Sequence, residues 1–148
     1  MGYSFVIIKY SDFNYQPFKT NIMDNKSNSL NWFEIPATDI SRSKNFYQTI
    51  FEITMEDNEM GDNKMAFFPW EDGSGKATGA VVQSPSHKPS MEGTVVYLNA
   101  NPSMDPIIEK IEASGGKVTM PKTSIGEHGH IAFFIDTEGN NMGLHSTE

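Results

Sequence analysis

Two segments of this chain repeat one pattern. Residues 65–84 read MAFFPWEDGSGKATGAVVQS, and residues 131–146 read IAFFIDTEGNNMGLHS. Each contains Ala-Phe-Phe, an acidic turn with glycine, the spacing Gly-x-x-x-Gly and a closing Ser. Phe133 follows Phe67 by 66 residues, a distance too long for a solenoid repeat and suited to a duplicated supersecondary unit. We therefore predict two similar modules.

The segments that precede the two copies also correspond. A strand-like run at residues 31–35 leads into a helical pattern at residues 40–51, and a strand-like run at residues 94–99 leads into one at residues 106–114. This order of elements predicts an α+β domain made of two βαβββ modules, whose strands together form an incomplete barrel.

The predicted domain is single and occupies residues 29–147, with modules at about 29–84 and 92–147. Residues 1–28 lie outside the repeat and form an N-terminal extension. It holds a possible strand at Ser4–Tyr10 and a polar stretch at residues 21–29. The extension is either a linker or an arm that packs on a sheet edge or a second subunit.

Composition excludes several classes of partner. The 148 residues carry a formal net charge of −8 with only 11 Lys and Arg, which disfavours nucleic acid and anionic membranes. The longest apolar run near the N-terminus, Phe5–Ile8, is too short to span a bilayer. Because the chain has no Cys, it has neither disulfides nor thiolate metal ligands, which fits a cytoplasmic location.

Three stretches resemble one known family. They are NWFEIPATDISRSKNFYQTIF, VVYLNANPSMDPIIEKIEASGGKV and PKTSIGEHGHIAFFIDTEGNNMGLHS. They are similar to the vicinal oxygen chelate superfamily of glyoxalases, bleomycin-resistance proteins and extradiol dioxygenases, and most of all to its small bacterial lactoylglutathione lyase-related members. The resemblance covers about residues 30–147 and implies the paired βαβββ fold. It leaves the activity open, since one fold hosts many functions.

The resemblance also implies where a metal ion would bind. Metal-dependent members carry a His or Glu early in the first strand of each module and a Glu late in the last strand. Those positions here are Trp32, Gly79, Val95 and Gly143. None of these side chains coordinates a divalent ion, so we predict no metal cofactor and a cleft with room for a ligand where the metal ligands would be.

Other side chains are expected on the same cleft face, because residues two positions apart in a strand share a face. These are Glu34, Tyr97, Asn99 and His145, with Val81 beside one of the glycines. An unpaired carboxylate is costly on a buried face, which favours a cavity or ion-pair role for Glu34. The alternative role for Tyr97 is simple packing. The alternative for His145 is a solvent-exposed position near the C-terminus.

Two further segments contain histidine. Glu127, His128 and His130 in the sequence GEHGH can bind a metal if the segment is extended, because His-x-His then places both imidazoles on one face. The alternative is an ordinary turn before a strand. His87 lies in the inter-module linker SPSHKPSMEG, to which we assign no chemistry.

Three functions follow from these residues. The first is metal-independent binding of a small, partly aromatic or cationic molecule. The second is lyase or isomerase catalysis, with Glu34 or His145 as general base and Tyr97 as acid or oxyanion donor. The third is a dimeric partner protein without a small ligand. We expect a homodimer, and the sequence leaves open whether the modules pair within one chain or across two.

Overall fold

The computed structural model describes residues 28–148, so the predictions for the N-terminal extension lie outside the described residues. The elements in chain order are β1 (Trp32–Pro36), α1 (Ile40–Phe51), β2 (Glu56–Met60), β3 (Asn63–Phe67), β4 (Thr78–Gln83), β5 (Tyr97–Asn99), α2 (Asp105–Ile111), β6 (Lys117–Ser124), a 3-10 turn (Gly126–His128), β7 (His130–Ile135) and β8 (Asn141–Ser146).

The strands form two sheets of identical topology. Their orders are β1-β4-β3-β2 and β5-β8-β7-β6. In each sheet the first and last strands of the module pair in parallel, and the other neighbours are antiparallel. This arrangement confirms the predicted α+β class and the βαβββ order. Within residues 28–148 the two sheets remain separate and do not close into a barrel.

Helix α1 spans the predicted residues for local reasons. The side chain of Asp39 accepts a hydrogen bond of 3.0 Å from the Arg42 amide, so it caps the helix start. Phe46, Tyr47 and Ile50 fall on one face at helical spacing and are buried.

Helix α2 spans Asp105–Ile111, whereas the sequence predicted a helix over residues 106–114. Gly115 adopts φ 93°, and the Gly116 amide bonds back to the Ile111 carbonyl, a glycine-based helix stop. Neither α1 nor α2, the two α-helices of the part of the chain described, is long and apolar enough to span a membrane.

Both modules share one hydrophobic core, which lies between the helices and one face of each sheet. Phe46 of α1 packs against Phe134 of β7, with ring centroids 6.0 Å apart. Ile35, Val81 and Leu144 are fully buried in the same cluster. Because the helix of the first module packs on a strand of the second, the modules pack together within one chain.

The turn between β7 and β8 links the modules through a buried polar network. Asp136 accepts a hydrogen bond of 2.8 Å from the Tyr47 hydroxyl and another of 2.9 Å from the Asn140 side-chain amide. The same Asn140 amide donates to the Pro36 carbonyl at the end of β1, over 2.7 Å. Burial, reinforced by the Asp136 carboxylate, raises the pKa of Tyr47 well above its ordinary value.

Glu138, in the same turn, receives hydrogen bonds from the start of α1. It accepts from the Thr38 amide at 2.7 Å, from the Asp39 amide at 3.0 Å and from the Arg42 guanidinium at 2.8 Å. Burial alone would raise the pKa of Glu138, but the hydrogen bonds from Arg42, Thr38 and Asp39 outweigh it and lower the pKa to about 2. The acidic turn of the second copy therefore has a structural role.

Candidate ligand-binding site

Each sheet has a face opposite the helices, called here the helix-free face. In β1, Ile35 belongs to the core, so Trp32 and Glu34 project to the helix-free face. In β5, Leu98 belongs to the core, so Tyr97 and Asn99 project to the helix-free face. The predicted inward and outward assignments of both first strands therefore agree with the structure.

Glu34 contacts two side chains on this face. Its Oε1 accepts a hydrogen bond of 3.3 Å from the Trp32 indole N–H. Its Oε2 lies 3.7 Å from Nε2 of His87. His87 belongs to the inter-module linker, for which the sequence predicted no chemistry, and the fold brings it to this carboxylate. About a third of the Glu34 side chain remains exposed.

Tyr97 owes its orientation to Gly143, its partner across β5 and β8. A Cβ atom at Gly143 would lie 2.6 Å from the Tyr97 ring, so the glycine lets the ring lie across β8. The ring reaches Phe133 on β7, with centroids 5.5 Å apart. Val95, just before β5, is partly buried.

Asn99 and His145 pair across the same two strands. Nε2 of His145 lies 2.8 Å from the His128 carbonyl. Because a carbonyl only accepts, this nitrogen carries the proton and donates. His145 therefore holds the 3-10 turn against β8, and its other nitrogen is the one that can act as a base.

A large cavity of about 580 Å³ lies between the first strands of the two modules. Aromatic and aliphatic side chains make most of its wall, and its polar groups include the amides of Asn99 and Asn101 and the hydroxyl of Thr78. The lining residues that matter below are Phe33, Phe68, Tyr97, Asn99, Asn101 and Ile107. Such apolar cavities with a few fixed polar groups are typical of small-molecule sites.

A chain of hydrogen bonds fixes the amide groups of this cavity. The Thr147 amide donates to the Asn101 side-chain oxygen over 2.8 Å, and the Asn101 side-chain amide donates to the Asn99 oxygen over 2.8 Å. The Asn101 backbone amide also donates to that oxygen, over 3.0 Å. Since the oxygen of Asn99 faces these donors, its NH₂ group is the part that can donate to a bound molecule.

The predicted site residues do not share one cavity. Tyr97 and Asn99 line the large one, whereas Glu34 lines a second cavity of about 190 Å³ with Lys88 and Glu92 of the inter-module linker. Val96 lines both. The expectation of a single cleft is therefore wrong: the residues that line neither of these two cavities are Trp32, Gly79, Val95, Gly143 and His145.

Gly79 lies on a different face from the one that the repeat predicted. It pairs with Phe33, and a Cβ atom there would lie 2.6 Å from the Phe33 ring. Since Phe33 points away from Trp32 and Glu34, Gly79 and Val81 face the helices. The repeat aligns Gly79 with Gly143, but in the sheets Ala80 occupies the position that corresponds to Gly143. The alignment of the glycines is therefore off by one residue, which places Gly79 on the opposite face from the predicted one. The absence of a side chain at Gly79 leaves room for the ring of Phe33, which lines the large cavity.

Comparison with known proteins decides the family. The sequence profile of the Glyoxalase/Bleomycin resistance protein/Dioxygenase superfamily matches residues 29–144. The chain belongs to this superfamily. Over 121 residues it is 31% identical to a Mycobacterium tuberculosis protein provisionally named glyoxylase CFP32, and an equally similar protein occurs in Mycobacterium bovis. The match covers 77% of this chain and 44% of the relative, so the chain spans less than half the length of the curated relatives.

Solved structures of the superfamily share the fold. A glyoxylase/bleomycin resistance protein/dioxygenase domain from Frankia sp. has a TM-score of 0.61 at 14% identity, covering 82% of this chain and 98% of that one. The fosfomycin resistance protein FosX from Listeria monocytogenes has a TM-score of 0.55 at 18% identity, covering 80% and 93%. At these identities the likeness concerns architecture alone.

The superfamily's metal site does not fit the residues present. Trp32, Val95 and Gly143 offer no side-chain ligand, and Gly79 faces the helices. On the helix-free face of β4, the buried residue beside Glu34 is Ala80, which offers none either. Across residues 28–148, no three His, Asp or Glu side chains lie close enough together to hold a metal ion.

The GEHGH segment lacks the geometry that a His-x-His site requires. Residues 126–128 form a 3-10 turn, and Gly129 adopts φ 97° before β7 begins at His130. His128 and His130 therefore do not share a face of one extended strand, and the segment forms the turn that the sequence offered as the alternative. Nε2 of His128 lies 3.8 Å from a Glu127 oxygen, and both side chains are largely exposed.

Proposed function

We propose that this superfamily member binds a small organic molecule without the help of a metal ion, in the cavity between the first strands of its modules. The observation that carries the proposal is the 580 Å³ cavity itself, whose apolar wall is interrupted by orientated amides. Its volume lies in the range typical of cavities that bury a drug-sized ligand.

The cavity specifies a chemical class. Phe33, Phe68 and Tyr97 supply aromatic surface that favours a flat, apolar body. The amide chain orients the NH₂ of Asn99 as a donor, so the ligand should carry a carbonyl or similar acceptor. An aromatic ketone, amide or ester meets both requirements.

A matched pair of small probes tests this proposal. Acetophenone has a ring and a carbonyl, whereas isopropylbenzene has a similar size without the acceptor. We expect acetophenone to bind the wild type more tightly, and Asn99→Ala to remove most of that preference, because the donor is lost. Asn58→Ala, in the exposed strand β2, is the control. Equal binding of both probes to the wild type would refute the role of Asn99.

Metal independence is part of the same proposal. Its basis is that the side chains at the superfamily's four metal-ligand positions offer no atoms that coordinate a metal ion. Purified protein should hold no stoichiometric zinc, nickel, iron or manganese, and a chelator should leave its melting temperature unchanged. One tightly held metal per chain would contradict this expectation and would direct attention to His128 and His130.

Acid–base catalysis of lyase or isomerase type is the second candidate. The observation that favours it is the partly exposed Glu34 carboxylate with His87 3.7 Å away, a pair that can exchange a proton with a bound molecule. In this mechanism Tyr97 is the candidate acid, and His145 is the alternative candidate base. Glu34→Gln should abolish turnover of a substrate while leaving the fold intact, and unchanged turnover would remove this candidate.

We further propose that two chains form a homodimer. The outer strands carry opposite charge: β2 holds Glu56, Asp57 and Glu59, and β6 holds Lys117 and Lys122. A two-fold arrangement that sets β2 of each protomer beside β6 of its partner would cover both exposed edges. Light scattering in low and high salt tests this, with a dimer that weakens in salt as the expected result.

A further inference from the structure

A second group of side chains lies outside the lining of the large cavity, on the helix-free face of the first sheet. The ring of Trp32 meets the ring of Phe67 at 79°, with centroids 5.3 Å apart. Trp32 is 38% exposed, so part of the indole surface is open to a ligand. Two nearly perpendicular aromatic rings form a corner, here called the aromatic corner.

Small residues of β4 form the floor of the aromatic corner. Ala80 lies between Glu34 and Phe67 in the register of the three neighbouring strands, and it is fully buried. Its short side chain allows the Trp32 indole to lean across β4 toward Phe67. The corner therefore depends on Ala80 as much as on the two rings.

A carboxylate stands at the rim of the aromatic corner. Glu34 accepts the Trp32 indole N–H through one oxygen, over 3.3 Å, and its other oxygen has His87 at 3.7 Å. Besides accepting the indole N–H, the partly exposed carboxylate places a negative charge beside the two rings. That charge complements a cation held against the ring faces.

We propose that the aromatic corner, with Glu34, binds a substituted-ammonium cation such as a trimethylammonium group. The aromatic quadrupoles attract a cation that carries its charge on methyl groups, and the carboxylate neutralises that charge. A metal ion does not fit, because one carboxylate and two rings offer too few ligand atoms. The chain's formal charge of −8 further favours a cationic ligand.

This site is separate from the large cavity to which the first proposed function assigns ligand binding. Trp32, Glu34 and Phe67 are not among the residues that line the large cavity. Failure of one proposal therefore leaves the other intact, and one set of variants reports on both.

Choline and its neutral isostere 3,3-dimethylbutan-1-ol are the probes, titrated by calorimetry into the full-length chain at matched ionic strength. Choline should bind at least about tenfold more tightly than the isostere, and Glu34→Gln should remove most of that preference. The matched control is Glu71→Gln, which changes an exposed acid in another loop. Equal binding of the two probes, or equal effects of the two substitutions, would overturn the proposal.

The aromatic wall is tested with Trp32→Leu and Trp32→Phe. Leucine should weaken choline binding about tenfold or more, whereas phenylalanine keeps a ring and should retain most of the affinity. Trp70→Leu removes the other tryptophan, which is 58% exposed in the loop after β3, and should leave choline binding unchanged. If Trp32→Phe loses as much affinity as Trp32→Leu while both variants melt like the wild type, the cation does not contact the ring. Acetophenone binding should be unaffected by Glu34→Gln.

Discussion

Gly79 lies directly against Phe33, with the position of a Cβ atom only 2.3 Å from the Phe33 carbonyl oxygen and 2.6 Å from its ring. Gly143 stands in the same relation to Tyr97, but there the nearest atoms belong to the ring alone. Each glycine leaves room for an aromatic ring that lines the large cavity. The difference between backbone and side-chain contact gives the two glycines different tolerance to substitution.

Gly79→Ala should destabilise the protein by about 1 to 3 kcal/mol, because the backbones of β1 and β4 must separate. Gly143→Ala should cost less than about 1 kcal/mol, because the exposed Tyr97 ring can swing away. Urea denaturation of both variants measures the difference. Adding Tyr97→Ala should relieve most of the Gly143→Ala cost, whereas Phe33→Ala should not rescue Gly79→Ala. Equal costs at the two glycines would show that the contacts are not as described.

The lowered pKa of Glu138 predicts that the free energy of unfolding depends on pH. Its folded pKa of about 2 lies below the ordinary value of 4.5, so its contribution is fully present above about pH 4.5 and is lost as the pH falls toward 2. Glu138→Gln should cost about 1 to 2 kcal/mol at pH 7, allowing for solvent screening, and much less near pH 2.5. Chemical denaturation at several pH values checks this. Glu127→Gln, at a largely exposed site, is the control and should show no such trend.

Tyr47→Phe should destabilise the protein by about 1 to 3 kcal/mol, because Asp136 loses a buried hydrogen-bond donor. The same substitution at Tyr97, which is 46% exposed, should change the free energy of unfolding by less than about 0.5 kcal/mol. Denaturant titration of both variants makes the comparison. A Tyr47 variant as stable as the Tyr97 variant would mean that the network does not hold the modules together.

Phe46→Ala should cost about 3 to 5 kcal/mol, because a fully buried ring that packs on Phe134 is replaced by a cavity. Phe51→Ala, at the partly buried end of the same helix, should cost less. Thermal or urea unfolding measures both. A similar loss at the two positions would indicate that the shared core is not centred on Phe46.

The sequence predicted a large part of the fold because local rules and duplication carry it. The span of α1 follows from a cap at Asp39 and an apolar stripe at helical spacing, both of which are local. The faces of β1 and β5 follow from strict alternation along each strand. Strand β5 is shorter than the strand-like run at residues 94–99 predicted, because its ladder with β8 covers only Tyr97–Asn99.

The candidate site was predictable only in part. Trp32, Glu34, Tyr97 and Asn99 project where alternation placed them. Only Tyr97 and Asn99 line the large cavity, because Glu34 lines the second cavity with linker residues and Trp32 lines neither. Asn101 carried no distinctive signal, because its role is to orient Asn99 from two residues away. The approach of His87 to Glu34 likewise arises from chain packing between segments more than fifty residues apart.

By itself the sequence determined the βαβββ duplication and the boundaries of α1. These properties reside in residue type and short-range periodicity. The tertiary structure decided the register of β4 against β1, and so sent Gly79 and Gly143, alike in the repeat, to opposite faces. A shift of one residue between copies is invisible in the pattern of glycines, yet it inverts every side chain of a strand, and only pairing with the neighbouring strand fixes it.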